Sequence, residues 1–491
     1  MTPWIFGQDD AAHGEPAWRW LADWVAMPAL LATPSRPLGE MDEPASRLSD
    51  ALREKFVELL GARRVKQTLD ERARHGGSST ADRLRLRNGD LSRLPDAVLY
   101  PRNPDDVLAL LKLCAAAGVA VTPFGSGSGL GALATRGTHQ ALVSFDLSAM
   151  SHLLSVDGMA GLARAEAGLT ADELARQLAA HGMMLKGTMQ GTVGGHIARN
   201  RQVPWLQAVK FATPEGVVAS GLPFAPGSNG ALGIITSASL RIQAVPARTE
   251  YRRYLFTDFA SGLTALREAQ RQGLIRAGAC LSDAGATRFL HQMEQMSRGR
   301  SLMEWLADIY RHLRRFDNNA AGLTIGFSGS EAEADAARKR FDALAKRLGA
   351  LAQGVSAPAT ADYRDLLLDH GLTMDAIETT ASWSRLPRIY AAMRANLDRT
   401  MRAQVPRNGA HGLVLAQISD VSHEGGRLRL TMIYPRILGS DVAQAEAVRN
   451  TALNALRELT DADEPLEEKL RAAVKQTLDP KGILNPGKAP L

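Results

Sequence analysis

The chain has 491 residues, 45% of them apolar and 5% aromatic, with 58 Lys plus Arg against 52 Asp plus Glu for a formal net charge of +6. At about 100–200 residues per domain this length holds roughly two to four domains, and the apolar and charged fractions exclude a disordered, collagen-like or disulfide-stapled chain. Two cysteines, Cys114 and Cys280, lie far apart without Cys or His at metal spacing, so neither a disulfide framework nor a metal site is expected, and a reducing cytoplasm fits.

The chain begins Met1-Thr2-Pro3-Trp4 and runs into Asp9-Asp10 without a basic segment leading an apolar core, so no signal peptide is expected. Trp20 to Ala32 is interrupted by Asp23 and Pro28 and is too short to span a bilayer. Residues 1–90 read as a helical N-terminal arm. Trp4, Trp18, Trp20 and Trp24 crowd its start, and they either dock the arm on the chain's own domains or a twin subunit, or touch a membrane surface peripherally. The basic runs Arg63-Arg64-Val65-Lys66 and Arg83 to Arg87 are interleaved with Asp70, Glu71, Asp82 and Asp90 and lack stacking aromatics, which argues against a nucleic-acid partner.

Residues 91–246 alternate helix and strand signals. Asp105 to Ala117 carries Val107, Leu108, Leu111 and Cys114 at helical spacing, and Val119 to Pro123 reads as a buried strand entering a glycine loop. Strands are expected at 141–145, 152–156 and 161–165, and Thr170 caps a helix to Ala180. In residues 247–462, strands are expected at 251–256, 322–327, 412–418 and 428–434. Helices are expected at 257–270, 330–348, 386–401 and 441–459, giving an α+β domain of antiparallel strands covered by helices. A last helix, 465–477, runs into a Pro- and Gly-rich tail within the closing segment 463–491.

Gly125-Ser126-Gly127-Ser128-Gly129-Leu130-Gly131 follows a strand, and such a loop turns backbone N–H groups toward a diphosphate without Cβ obstruction. Gly129-x-Gly131-x-x-Ala134 is not a Rossmann fingerprint, because loop chemistry and another strand follow it where a helix must open. Gly482 to Lys488 is followed by Ala489 and the end of the sequence, which excludes a P-loop. Two further glycine turns, Gly191 to Gly195 and Gly227 to Thr236, lie in the same block; the set is either a nucleotide cradle or plain punctuation between strands.

The order Pro95-Asp96-Ala97-Val98, Pro123 to Ser128, Glu166-Ala167-Gly168, Thr192-Val193-Gly194-Gly195, Thr213-Pro214-Glu215-Gly216, Gly227 to Thr236 and Leu478 to Pro486 resembles the FAD-linked oxidase family of vanillyl-alcohol-oxidase, or PCMH-type, fold. Pro44 to Leu48, Leu84 to Arg87 and Glu378 to Trp383 are similar to its alkylglycerone-phosphate synthase branch and bacterial relatives. The resemblance implies a two-subdomain FAD-binding fold with an α+β cap domain. It also implies FAD held by Gly125, Ser126, Gly127, Ser128 and Gly129, then Thr192, Gly194 and Gly195, with Ile234 beside the adenine. Ser128 occupies the region where covalent relatives often carry a His, so the FAD is expected to be non-covalent.

Measured against that branch, chemistry-bearing parts are missing. No His follows His423, so the branch's histidine run before the last helix is absent. Cys280 of Cys280-Leu281-Ser282-Asp283 stands where the branch has an arginine. Arg429 or Thr431 stands where a catalytic Tyr is expected, with Tyr434 out of step. The segments His196 to Ala212 and Gly216 to Gly227 are short, and Asn229 replaces a usual glutamate. No catalytic residue is therefore assigned. His196 either faces a flavin pocket or is a hydrogen-bonded structural residue. Arg427 and Arg429 share a strand face, as an anion site or a solvated edge, and Trp383 either lines a pocket or belongs to the core. Core positions such as Val107, Leu111, Val119, Ile235 and Leu484 persist. The expectation is a divergent family member that has lost the ancestral reaction and perhaps FAD, a pseudoenzyme or partner subunit; the alternative is an active flavin-dependent oxidoreductase or transferase with a reduced site and a small-molecule substrate. A homo-oligomer or a related enzyme subunit is the partner that fits.

Overall fold

Asn103-Pro104-Asp105-Asp106 is a helix start in full. The Asn103 side chain accepts the Asp106 N–H, Pro104 sits in the first turn, and two acids face the positive helix end. The helix Pro104–Ala117 closes on Gly118, whose φ of +65° suits glycine. Its buried face, Val107, Leu110, Leu111 and Cys114, shares a core with Leu52, Phe56 and Leu60 of the helix Asp50–Leu60.

These helices belong to the first of two units in a computed structural model that describes residues 15–127, 135–220, 225–298, 319–355, 362–405, 409–460 and 465–487. One unit is Arg36–Val245 with Asp463–Leu491; the other is Met1–Ser35 with Pro246–Ala462. The stretch 1–90 is thus divided at residue 35 and is not a separate arm. The reason is packing: Leu48, Leu52, Phe56 and Leu60 fill the core of the first unit, whereas Trp18, Leu21 and Val25 fill a core of the second.

In the first unit β1 (Val65–Lys66), β2 (Ala97–Leu99), β3 (Ala120–Phe124) and β4 (Leu142–Asp146) form a sheet of order β1-β2-β4-β3. Its strands β2, β4 and β3 are parallel and β1 is antiparallel. A second, antiparallel sheet contains β5 (Leu153–Asp157), β6 (Leu162–Glu166), β7 (Met183–Leu185), β8 (Leu206–Thr213), β9 (Gly216–Ser220) and β10 (Ile234–Ala244). Its order is β5-β6-β10-β8-β9, with β7 on β10. The strands expected at 119–123, 141–145, 152–156 and 161–165 each begin one residue later. At the first of them the cause is visible, since the Val119 N–H is spent on Cys114 O to close the preceding helix.

The second unit is built on β11 (Arg248–Phe256), β12 (Ala279–Ser282), β13 (Ala321–Gly329), β14 (Leu351–Val355), β15 (Leu372–Ser382), β16 (Leu413–Ser419) and β17 (Gly425–Pro435). They form one antiparallel sheet of order β14-β11-β13-β12-β16-β17-β15. Alternation sends Val414, Ala416, Ile418, Leu428, Leu430 and Met432 to one face, against the helices Phe259–Arg271, Glu331–Arg347, Leu386–Gln404 and Asp441–Thr460. Leu413, Leu415 and Ile433 lie on the other face under Ala286, Phe289 and Met293 and the N-terminal Trp18, Leu21 and Val25.

Thr33 ties the N-terminal strap down. It donates to Leu368 O (2.6 Å) and accepts from Arg436 Nη1 (3.0 Å), whose guanidinium pairs with buried Asp441 at 2.5 Å. Trp18 stacks on His370 with ring centroids 3.6 Å apart, so this part of the strap docks on its own chain; Trp4 lies outside the described residues. Among the described residues no helix is long and apolar enough to cross a membrane.

Candidate functional site

β3 ends at Phe124 and the chain turns through Gly125, Ser126 and Gly127. A Cβ on Gly125 would stand 2.4 Å from Thr192 Oγ1, so only glycine lets this loop lie against the second glycine turn. Gly127 has φ +65°, the left-handed region. Among the described residues the N–H groups of Gly125 and Gly127 donate to no protein acceptor, leaving open backbone donors directly after a strand, as a diphosphate requires. Ser128 and Gly129 lie outside the described residues.

Thr192 caps the helix Val193–Arg199 by accepting the Gly195 N–H at 3.2 Å. The Val193 N–H goes to Leu169 O and the Gly194 N–H to Ala167 O, at 2.9 and 2.8 Å, so the donors of this turn are consumed within the protein. Thr192, Gly194 and Gly195 therefore stand as the wall behind the first loop. Gly194 is needed for close packing, since a Cβ there would meet the Ala167 methyl at 2.8 Å. Ile234 is fully buried at the start of β10, paired with Ala212.

The third glycine turn and the tail meet at the same strand. Leu484 bridges to Val121 of β3, and the Asn485 N–H donates to Val121 O at 2.7 Å. The Asn485 side chain accepts from Thr122 Oγ1 at 3.1 Å and donates to the Asn229 carbonyl. Asn229 and Asn485 both have left-handed backbone, φ +50° and +47°, a conformation that Asn tolerates better than Glu, which suits the replacement at 229. A Cβ on Gly230 would meet Pro123 at 2.5 Å. Asp479 holds the tail in place by accepting the Ile483 and Leu484 N–H groups while pairing with Lys475.

Sequence reading missed Asn485 and His75. The latter lies buried beside Phe124, ring centroids 4.1 Å apart, with Nε2 2.9 Å from Asp146 and Nδ1 2.7 Å from Glu71 O; no motif marks it, because its partners are a strand end and a carbonyl. His196 is buried near Trp205, and its Nδ1 accepts the Gln190 N–H at 3.2 Å.

The face of the second unit's sheet turned away from the helix-side core carries a polar row. Register places Ser282 opposite Gln417, Gln417 opposite Arg429, and Arg429 opposite Glu378. Gln417 Nε2 donates to Ser282 Oγ at 3.1 Å and approaches Cys280 Sγ at 3.6 Å. Glu378 lies 3.7 Å from both Arg427 and Arg429, and Arg427 also pairs with Asp420 at 3.2 Å. The solvated-edge reading of these arginines is corrected: β17 lies between β16 and β15, an interior strand, and their side chains are 16% and 35% exposed. Burial pushes the Cys280 thiol up to about 11. Tyr434 is on the opposite face, buried among the helices, so it cannot join this row. Trp383 packs against the helix-side core and donates Nε1–H to Ser422 O at 3.2 Å.

Comparison with known proteins adds the following. A family model described as "FAD binding domain" matches residues 95–217, and one described as "FAD linked oxidases, C-terminal domain" matches 245–425 and 454–489. An alkyldihydroxyacetonephosphate synthase of Dictyostelium discoideum is 26% identical over 407 residues, 75% of this chain and 66% of that protein. A solved alkyldihydroxyacetonephosphate synthase superposes with a TM-score of 0.78 at 23% identity, covering 96% of this chain and 92% of the other. A solved p-cresol methylhydroxylase with substrate bound gives 0.62 at 16% identity, covering 90% and 96%.

Proposed function

Because the chain belongs to the FAD-linked oxidase family, both of whose domain types match it in order, we propose that it holds FAD non-covalently and no longer exchanges an acyl for an alkoxy group as the synthases it resembles do. The FAD would supply the electron-accepting ring on which the family's chemistry depends. Gly125 and Gly127 receive its diphosphate through their open N–H groups, and Thr192 and Gly194 hold the wall behind them.

The observation that carries the loss of exchange is the charge balance of the polar sheet face. Among the described residues Arg427 and Arg429 are matched by Glu378 and Asp420, so these two cations are already committed to carboxylates and not to a phosphate ester. Cys280, where the relatives place a cation, is a thiol that burial keeps neutral near pH 7. A second reading, an active oxidoreductase or transferase with a smaller site, is favoured by one feature: among the described residues Arg429 Nε is buried without a hydrogen-bond partner, which suits a small anionic or carbonyl substrate.

The test is the visible spectrum of the purified protein before and after FAD loading, run beside an exchange assay with an acyl dihydroxyacetone phosphate and a long-chain alcohol. A flavin band near one per chain and no exchange are expected. No band after loading would overturn the cofactor reading, and exchange abolished by Arg429→Ala would overturn the loss of the reaction.

A further inference from the structure

Away from the polar row, a cavity of about 390 Å³ opens at the end of the second unit's sheet, within the usual size range of small-molecule sites. Its walls are three aromatic rings, Trp24 from the strap, Phe259 and Tyr390, together with Gly285 and the guanidiniums of Arg288 and Arg394. Phe259 and Tyr390 are already stacked, with centroids 4.3 Å apart, and Arg288 lies 5.3 Å from the centre of the Trp24 ring.

The cation at the centre is built in. Asp283 is fully buried and accepts from Arg394 Nη1 at 2.7 Å, from Tyr390 Oη at 3.3 Å and from the Ala286 N–H at 2.8 Å. Arg394 is 39% exposed, and among the described residues its Nε and Nη2 donate to no protein acceptor. That edge of a guanidinium presents two parallel N–H groups, the match for the two oxygens of a carboxylate. Asp258, the other acid on the wall, is turned away into the first turn of its helix, accepting from the Ser261 N–H and Oγ–H at 2.8 and 3.0 Å. Arg394 commits Nη1 to Asp283 and keeps one two-donor edge, Nε and Nη2, which suits a single carboxylate better than a phosphate dianion.

We propose that this pocket binds a planar aromatic carboxylate, its ring between Trp24 and the Phe259–Tyr390 stack and its carboxylate on the free edge of Arg394. The pocket lies wholly within one unit, so the proposal is independent of the flavin reading.

Isothermal titration calorimetry of the full-length protein with 2-naphthoate, 2-naphthamide and inorganic phosphate tests it. Saturable one-to-one binding of 2-naphthoate is expected, at least tenfold tighter than of the neutral amide, with no binding of phosphate. Arg394→Gln should weaken 2-naphthoate at least tenfold, and Arg388→Gln, an exposed position on the same helix, should leave it unchanged. Because Arg394→Gln strips Asp283 of its counterion, Arg288→Gln serves as a second variant that leaves the Asp283 pair intact, with at least a fivefold loss expected. Equal affinity for acid and amide, phosphate binding as tight as 2-naphthoate, wild-type affinity in either Arg394→Gln or Arg288→Gln, or no binding of 2-naphthoate at all would each overturn the proposal.

Discussion

Replacing Gly125 by Ala puts a methyl group 2.4 Å from Thr192 Oγ1, about 0.6 Å inside the shortest contact (3.0 Å) that real Cβ atoms tolerate. That oxygen cannot simply rotate away, because it caps the helix Val193–Arg199 through the Gly195 N–H. Either the cap is lost, at about 1 kcal/mol, or the loop shifts outward, with an overpacking cost of about 1–3 kcal/mol. The second route moves the Gly125 and Gly127 N–H groups, so FAD affinity should fall by roughly tenfold for each 1.4 kcal/mol. Thr192→Ala alone removes the cap and should cost about 1 kcal/mol. In the double variant the obstruction is gone, so the two losses should be sub-additive by about 1 kcal/mol. Thermal denaturation and FAD titration of the four proteins measure both quantities. Additive losses, or unchanged FAD affinity in Gly125→Ala, would refute the claim that the two glycine turns form one cradle.

Burial holds the Asp283 carboxyl above its ordinary value of 3.8, so its contribution to stability is fully present below that pH and is lost as pH rises through the folded-state value. The stability of the wild type relative to Asp283→Asn should therefore fall from pH 4 to pH 7 in denaturant titrations, and a rise would contradict this. With the Cys280 thiol pushed up to about 11, thiol labelling followed by peptide mapping should accelerate roughly tenfold per pH unit between pH 8 and 10; a plateau by pH 9 would show an ordinary thiol. Arg436→Ala removes the guanidinium that buried Asp441 and the Thr33 hydroxyl share, which should cost about 3–5 kcal/mol and speed proteolysis of the strap. Asn485→Ala removes the links to Thr122 and Asn229, at about 1 kcal/mol each. Hydrogen exchange should then rise in β3 and around Asn229 with the second unit unaffected.

Several strands, helices and core positions were legible because their signals are local: helical spacing from Val107 to Cys114, the buried strand run after Val119, and the side-chain cap at Thr170. The first glycine loop was legible for the same reason, since a strand followed by Gly-Ser-Gly states its backbone geometry in consecutive residues. Local signals do not say which strand neighbours which. Arg427 and Arg429 read as an edge or an anion site until register placed them on an interior strand, Arg429 opposite Glu378 and Arg427 opposite Thr380, with Asp420 close by. The N-terminal tryptophans, the Asn485 link between β3 and Asn229, and the Asp283–Arg394 pair join residues far apart in sequence. The sequence by itself determined the family and those elements whose signals are local, such as the helix Pro104–Ala117 and β3 leading into the first glycine loop. Only the tertiary structure decided that the turn at Thr192 has its donors already consumed, that the arginines of the sheet face are neutralised, and that the strap completes an aromatic pocket. Hydrogen-bond satisfaction and charge balance are properties of pairs, and the pairs exist only once the chain has folded.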